Sequence, residues 1–335
     1  MKKKISISDI AKQLNVAKST VSFILNGKAK EKRISDALTD KILKYVEEKG
    51  YKPSELARSL STGKTKIICL MVEKISDYFF SHVAFHLEEL AYKNGYKIIY
   101  CSTENNILKT KGLINTMRDR YVDGYVITPT IGIETEIKEL MDSNIPVVLF
   151  DRYLPTLQTD YVVLNNYKST FDAVCFLAEK SKNIAFITLE SGQTQMEDRL
   201  SGYKDAIEQA KLNSLVLKTA FKNKAEKTLI EIVEFLKDNE NIDAIIFATN
   251  YLAISGIQAI NQLKLKFPED ISVIAFDDHD LFRTYKPTIT AIVQPLDEMA
   301  KQLFNTLLDK LNNKVPLSNL KQIVVSSELK LREST

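Results

Sequence analysis

The sequence predicts two unlike parts: a small all-α head, then an α/β body built from two doubly wound parallel-sheet subdomains. Three observations carry that prediction. Residues 1–66 hold 16 Lys plus Arg against 7 Asp plus Glu, a net of +9, whereas the remainder holds 30 against 36, a net of −6. The first 50 residues contain three amphipathic stretches and no strand-like run. From Ile67 onward apolar strands alternate with amphipathic helices, the rhythm of parallel sheets covered on both faces. Ten or more strands are too many for one small open sheet, and a chain of 335 residues has room for two or three domains.

Each part follows from its own residues. In the head, Ser6 and Asp9 stand at capping-box spacing before an apolar stripe of Ile7, Ile10, Ala11 and Leu14. A second helix is expected over about 18–25. A third begins after the cap Ser35, with Leu38, Ile42, Tyr45 and Val46 at helical spacing and Gly50 at its end. In the body the expected strands include "IICLMVE", "YKIIYCST", "GYVITPT", "IPVVLFD", "IAFITLE", "LVLKTAF", "AIIFATN" and "ISVIAFDD". The intervening helices are expected over about 79–94, 108–121, 134–143, 197–210, 225–237 and 252–265.

Composition narrows the function classes. A content of 44% hydrophobic and 27% charged residues is ordinary for a soluble protein. Apolar runs such as "YVVL" and "AIIFA" are far shorter than the roughly 20 residues of a membrane span. The opening "MKKKISISDIAKQL" turns amphipathic at once, unlike an export signal, so a cytoplasmic protein without membrane contact is expected. Cys69, Cys101 and Cys175, odd in number, far apart and set in apolar strand-like runs, read as buried thiols. His82 and His86 have i, i+4 spacing but suggest no third ligand, so no metal is expected. No phosphate loop and no nucleophile elbow occurs, so no catalytic residue and no cofactor is expected.

The basic head invites a polyanion partner. Its second helix puts Val21, Ile24 and Leu25 on one side and Lys18, Ser19, Ser22 and Phe23 on the other. Two helices with a tight turn, "DIAKQLNVAKSTVSFIL", fit a helix-turn-helix whose second helix enters the DNA major groove. There the Phe23 ring has a use, packing on a thymine methyl; the alternative is that it packs under the third helix as core. Further on, "PSELARSL" is a short segment that Pro53 and the potential N-cap Ser54 can start as a helix. In the body, strand ends pass from apolar to polar residues, and open parallel sheets bind ligands at such ends. Asp77, Asp151, Arg152, Asn250 and Asp277 are therefore expected to converge on a cleft, with Phe79 and Phe80 placed to stack on a sugar or base ring.

These stretches carry a specific resemblance. "DIAKQLNVAKSTVS", "GYKPSELARSL", "VDGYVITP", "RLSGYKDAI", "FPEDISVIAFDD" and "QPLDEMAK", in that order, resemble the LacI family of bacterial transcription regulators along the whole chain. The resemblance implies a helix-turn-helix domain over 1–52, a hinge helix over 53–65 and a periplasmic-binding-protein-like body over 66–335. The body's N-subdomain would span about 66–165 and 294–322, its C-subdomain about 166–293 and 323–335. It further implies that Lys18, Ser19 and Ser22 face DNA bases or phosphates, with Asn26 and Ser8 near the backbone. In the hinge, Leu60 would wedge into the minor groove and Ala57 lie at the contact with a twin helix. Arg199 would join the cleft residues. The implied partners are palindromic operator DNA, a small-molecule effector such as a sugar, and a second copy of the chain in a homodimer.

Departures from the family pattern are also visible. Phe23 stands where Arg is common, Ala17 where a capping Ser is common, and Tyr251 where an Asp commonly follows the Asn at 250. The loop "GKAKEKR" is longer and more basic than usual. The body alone would also suit a solute-binding protein or a sugar-acting α/β enzyme, but neither accounts for the basic head.

Overall fold

The computed structural model describes residues 5–51, 59 and 63–335, which form two compact units, 1–65 and 66–335. The expected hinge helix, with Ser54, Ala57 and Leu60, lies outside the described residues.

In the head, α1 (Ile7–Leu14), α2 (Lys18–Leu25) and α3 (Asp36–Glu48) form a three-helix bundle. The capping box of α1 is realised: Asp9 N donates to Ser6 Oγ at 3.2 Å and Ser6 N to Asp9 Oδ2 at 2.9 Å. Ser35 caps α3 by accepting from Leu38 N. Ile10, Ala11, Val21, Ile24 and Ile42 are buried at the centre, so one stripe from each helix makes the core.

The body repeats one topology twice. Its first half runs β1 (Ile67–Val72), α4 (Tyr78–Lys93), β2 (Lys97–Ser102), α5 (Ile107–Asp119), β3 (Gly124–Ile127), α6 (Glu134–Asp142), β4 (Val147–Phe150) and β5 (Asp160–Leu164). The second half runs α7 (Asn166–Ala178), β6 (Ile184–Glu190), α8 (Thr194–Gln209), β7 (Leu215–Ala220), α9 (Ala225–Asp238), β8 (Ala244–Phe247), α10 (Asn250–Gln262), β9 (Ser272–Phe276), α11 (Asp280–Thr284) and β10 (Thr290–Val293). The chain then returns through α12 (Leu296–Leu311), β11 (Gln322–Val325) and β12 (Glu328–Lys330). The sheets have matching orders, β11-β5-β4-β3-β1-β2 and β12-β10-β9-β8-β6-β7. Every pairing is parallel except β10 with β12. Because β1 and β6 each sit between strands reached in opposite directions, both sheets open a crevice at the same edge, where their strands end.

The structure adjusts several sequence expectations. β11 pairs with β5, so the last crossing between subdomains follows Val325 rather than residue 322. The strand β5, the helix α7 and the return through α12 were not among the expected elements; the apolar "YVVL" is too short to announce its partner strands. Helices α8 and α10 begin earlier than expected, at Thr194 and Asn250, because Gln193 and Thr249 in extended conformation open them. Cys175 lies in α7 and is half-buried, not in a strand; Cys69 and Cys101 are buried in the first sheet, and all three are free thiols.

Layers of apolar side chains hold each lobe. One face of the first sheet packs on α4 and α12 through Val83, Leu87, Met299, Leu303 and Phe304; the other covers Ile114, Ile137 and Leu140 of α5 and α6. The second lobe has its own core around Phe186, Tyr203, Phe247 and Phe276. The buried Lys310 ammonium pairs with Asp160 and donates to Leu317 O at 3.0 Å, tying α12 to the start of β5. Burying one of these charges without the other would be costly, so the pair fixes the register of the return segment. No helix among the described residues is long and apolar enough to cross a membrane.

Candidate functional site

The body brings its predicted residues together. Asp77, Phe79, Phe80, Asp151, Arg152, Arg199, Asn250 and Asp277 all line one small polar cavity of about 40 Å3 between the lobes. A wider cavity of about 350 Å3 adjoins it, sharing Glu73, Asp77, Asn250 and Tyr251 and extending past Leu189 and Phe221. The lobes already touch here: Gln193 Nε2 donates to Asn105 Oδ1 at 3.2 Å, and Tyr78 Oη donates to Asp280 Oδ1 at 3.0 Å.

In the first lobe, Arg152 is the fastener. Its Nε donates to Asp151 Oδ2 at 2.9 Å, one terminal nitrogen to Glu73 Oε2 at 2.8 Å and the other to Asn105 Oδ1 at 3.3 Å. One guanidinium thus gathers the groups that follow β1, β2 and β4. Burial opposes its charge, but the Asp151 and Glu73 carboxylates outweigh burial and hold it firmly protonated. Asp77 caps α4, accepting from Phe79 N at 2.9 Å, and burial raises its pKa. Phe79 and Phe80 belong mainly to the core. Phe79 stacks on Phe150 at 5.4 Å, so that face is taken and only the rest of the ring borders the cavity.

In the second lobe, Arg199 is 2% exposed. Its Nε donates to Asn166 Oδ1 at 2.8 Å and a terminal nitrogen to Ala248 O at 2.6 Å, while its guanidinium lies 3.4 Å from the centre of the Phe276 ring. Burial lowers its pKa. Asp277 accepts from Gln294 Nε2. Asp151 and Asp277 occupy equivalent places, each one residue after a strand with φ of +68°. Their N–H groups continue the ladder to the next strand, donating to Val162 O and Ile292 O. Few side chains accept that left-handed turn, and aspartate is one of them; the turn aims both carboxyls out of the sheets into the cleft.

Four carboxylates, Glu73, Asp77, Asp151 and Asp277, here face two guanidinium groups. Gln195, 4% exposed, also lines the cavity, and its Oε1 has no hydrogen-bond partner. The cleft therefore presents carboxylate and amide oxygens from distant segments. Burial, opposed by Arg199, pushes the Asp277 carboxyl up to about 6. An acid whose folded pKa is raised weakens the fold once ionised: the penalty is absent below about pH 4, grows as pH rises, and is complete above about pH 6. Asp277→Asn keeps the acceptor for Gln294 and removes the charge. It should raise stability at pH 7.5 by about 1–3 kcal/mol and change little at pH 4; thermal unfolding at the two pH values measures this, and a loss at pH 7.5 would contradict it.

Sequence reasoning missed Glu73, Asn105, Gln193, Gln195, Asn166 and Gln294. Glu73 had a signal, as the first polar residue after "IICLMV". Gln195 and Gln294 had none, since nothing local marks a glutamine that tertiary packing turns toward a cavity. Tyr251 borders both cavities. His82 stacks on Tyr78 at 3.8 Å and its Nδ1 lies 2.8 Å from Tyr78 O; no group of three metal-ligating side chains occurs among the described residues. Just after β9, Asp278 is engaged by Arg332 and Arg283, and of Asp277, Asp278 and Asp280 only Asp277 lines the polar cavity.

In the head, Lys18, Ser19 and Asn26 are exposed, Ser22 and Phe23 are half-buried, and Ser8 is exposed on α1. Asn26 Nδ2 donates to Ser22 Oγ at 3.4 Å. Ala17 gives α2 no side-chain cap, so the first N–H groups of α2 point outward without that partner. Phe23 is outside the buried cluster of the bundle, and the Lys32 ammonium lies 5.5 Å from its ring centre.

A basic helix-turn-helix head joined to a two-lobed body with a polar cleft defines a ligand-responsive transcription regulator. Residues 6–54 match the bacterial regulatory proteins of the lacI family, and residues 175–335 match the periplasmic binding protein-like domain. The chain thus carries a lacI-family helix-turn-helix domain followed by a periplasmic binding protein-like domain, and its homologues are LacI-family repressors. It is 28% identical to the ribose operon repressor of Haemophilus influenzae over 334 residues, covering 98% of each. It is 29% identical to catabolite control protein A of Priestia megaterium over 338 residues, covering 99% of each. The transcriptional regulator CelR in its cellobiose complex shares the fold, with a TM-score of 0.73 at 20% identity over 99% of this chain and 100% of that one.

Proposed function

We propose that the protein is an operator-binding repressor that acts as a cytoplasmic homodimer and whose DNA affinity is set by a sugar or related hydroxyl-rich metabolite held between its lobes. One observation carries the sensing half of this reading: eight residues scattered from position 77 to 277 line one polar pocket between the lobes, beside a cavity of about 350 Å3. Its carboxylates and the unpartnered Gln195 Oε1 suit a ligand that brings O–H donors, because a buried acceptor without a donor is costly. The four carboxylates disfavour a phosphorylated or acidic sugar.

In the head, Lys18, Ser19, Ser22, Asn26 and Ser8 meet the operator, with Phe23 on the same helix face, two heads of a twofold dimer reading the halves of a palindrome. Segment 53–65 acts as the hinge, with Ser54 at its start, Ala57 at the twin contact and Leu60 as wedge. Effector binding alters how the lobes close and so the spacing of the two hinges. Coupling of this kind is typically about 1–3 kcal/mol, or roughly 5- to 150-fold in affinity.

Selection from randomised duplex DNA should enrich an inverted repeat. A thermal-shift screen of neutral sugars, sugar acids, sugar phosphates and nucleobases should then find its hits among the neutral sugars, and a hit should shift affinity for the selected duplex within that range. Recovery of no inverted repeat would remove the repressor reading; hits confined to acidic sugars would remove the ligand class alone.

A further inference from the structure

We propose that Phe23 is the seat of Lys32: its ring holds the lysine ammonium beside the recognition helix, where it meets a phosphate of the operator backbone. The proposal rests on the DNA-binding reading of the head and assigns the ring a task other than touching a base.

The geometry supports this in three ways. Phe23 is half-buried, yet it takes no part in the cluster around Ile10, Val21 and Ile42. Its partner is instead the Lys32 ammonium at 5.5 Å from the ring centre. A cation over an aromatic face is attracted by the negative face of the ring. A ring occupied in this way is not free on that face for a thymine methyl.

The loop is built to bring the two together. Lys28 N donates to Phe23 O at 2.8 Å, tying the loop to the end of α2. Lys32 N donates to Lys28 O at 3.0 Å and Ile34 N to Ala29 O at 2.9 Å, so the loop folds back on itself rather than swinging outward. Gly27 at φ +71° permits the reversal. These bonds return Lys32 to Phe23, nine positions earlier in the chain. Glu31 lies 3.3 Å from the same ammonium, but the Lys32 side chain remains 44% exposed and can exchange that exposed carboxylate for a phosphate.

The physical advantage is order. A free lysine loses much rotamer freedom when it grips a phosphate, and a lysine already held over a ring loses less. Phe23 is thus a positioning residue, and Lys32 makes the contact. The extra length and charge of "GKAKEKR" then have a definite geometric use.

Salt dependence separates the possibilities, with the full chain and the duplex recovered by selection as probe. Each phosphate contact contributes about 0.9 to the slope of log affinity against log salt. Lys32→Gln should lower that slope by about 0.9 per head. Phe23→Leu should lower it by nearly as much, weaken binding several-fold at fixed salt and leave base preference unchanged. In the Phe23→Leu background Lys32→Gln should add little, and Phe23→Tyr, which keeps the ring, should restore the slope. The proposal is overturned if Phe23→Leu keeps the slope and changes the preferred base at one position per half-site, which would assign the ring to a thymine methyl. It is overturned equally if Phe23→Leu unfolds the head, measured by its helical signal, or if Lys32→Gln leaves the slope intact. Should the wild-type chain select no duplex, the DNA-binding reading itself fails and this one with it.

Discussion

A chain lacking residues 1–65 should fold, bind effector and lose its operator. The body has its own cores in both lobes, and its first residue is anchored: Lys66 N donates to Asp123 Oδ2 at 3.1 Å, and its ammonium donates to Tyr96 Oη at 3.1 Å. What the deletion removes is almost all of the +9 head, leaving an acidic body that repels DNA. Specific protein–DNA affinity rests on backbone neutralisation plus base contacts, so affinity for the selected duplex should fall by at least ~1,000-fold. Fluorescence anisotropy measures this, with effector-induced thermal shift as the control for folding. Equal affinity in the truncated chain would mean that the body contacts DNA, and the account of the head would be lost.

Arg152→Gln should be the most damaging single change in the cleft. The substitution leaves Glu73 and Asp151, with side chains 12% and 9% exposed, facing each other without their shared cation. Breaking a buried pair by removing one partner costs about 3–5 kcal/mol, because the remaining charge stays buried and uncompensated. Three strand ends lose their common tie at once, so effector binding should fall together with the urea midpoint. Arg152→Lys keeps the charge but cannot fork between three acceptors, and should be intermediate. Combining Glu73→Gln and Asp151→Asn with Arg152→Gln removes the stranded charges and should recover much of the stability. If the single variant melts where the wild type does, the guanidinium is not what holds those strand ends.

Much of this was legible in the residues. The capping box at Ser6, the period of Lys18–Leu25 and the strand–helix alternation are local signals, and local structure obeys them. The strand-end rule found Asp151 and Asp277 because a polar residue directly after a buried parallel strand has few places to go other than the crevice. The rule could have been extended to Glu73. It could not reach Gln195 or Gln294, whose positions depend on how α8 and the β10–α12 link pack. Phe23 marks the same limit: its helical face was evident, yet the choice among core, base and lysine partner depended on a loop folding back across nine residues.

The sequence by itself determined the division into a basic all-α head and an α/β body, the type of most elements and the resemblance to the LacI family, since period, capping and charge are written in neighbouring residues. Only the tertiary structure decided that two matching strand orders close upon one another, that Arg152 gathers three strand ends and that Gln195 turns its side chain toward the cleft. The reason is physical: hydrogen bonds within a helix or a turn join residues a few positions apart, whereas a site joins Glu73 to Arg152 across 79 positions and Tyr78 to Asp280 across 202. Which of the many polar residues meet at such separations is settled by packing of the whole chain.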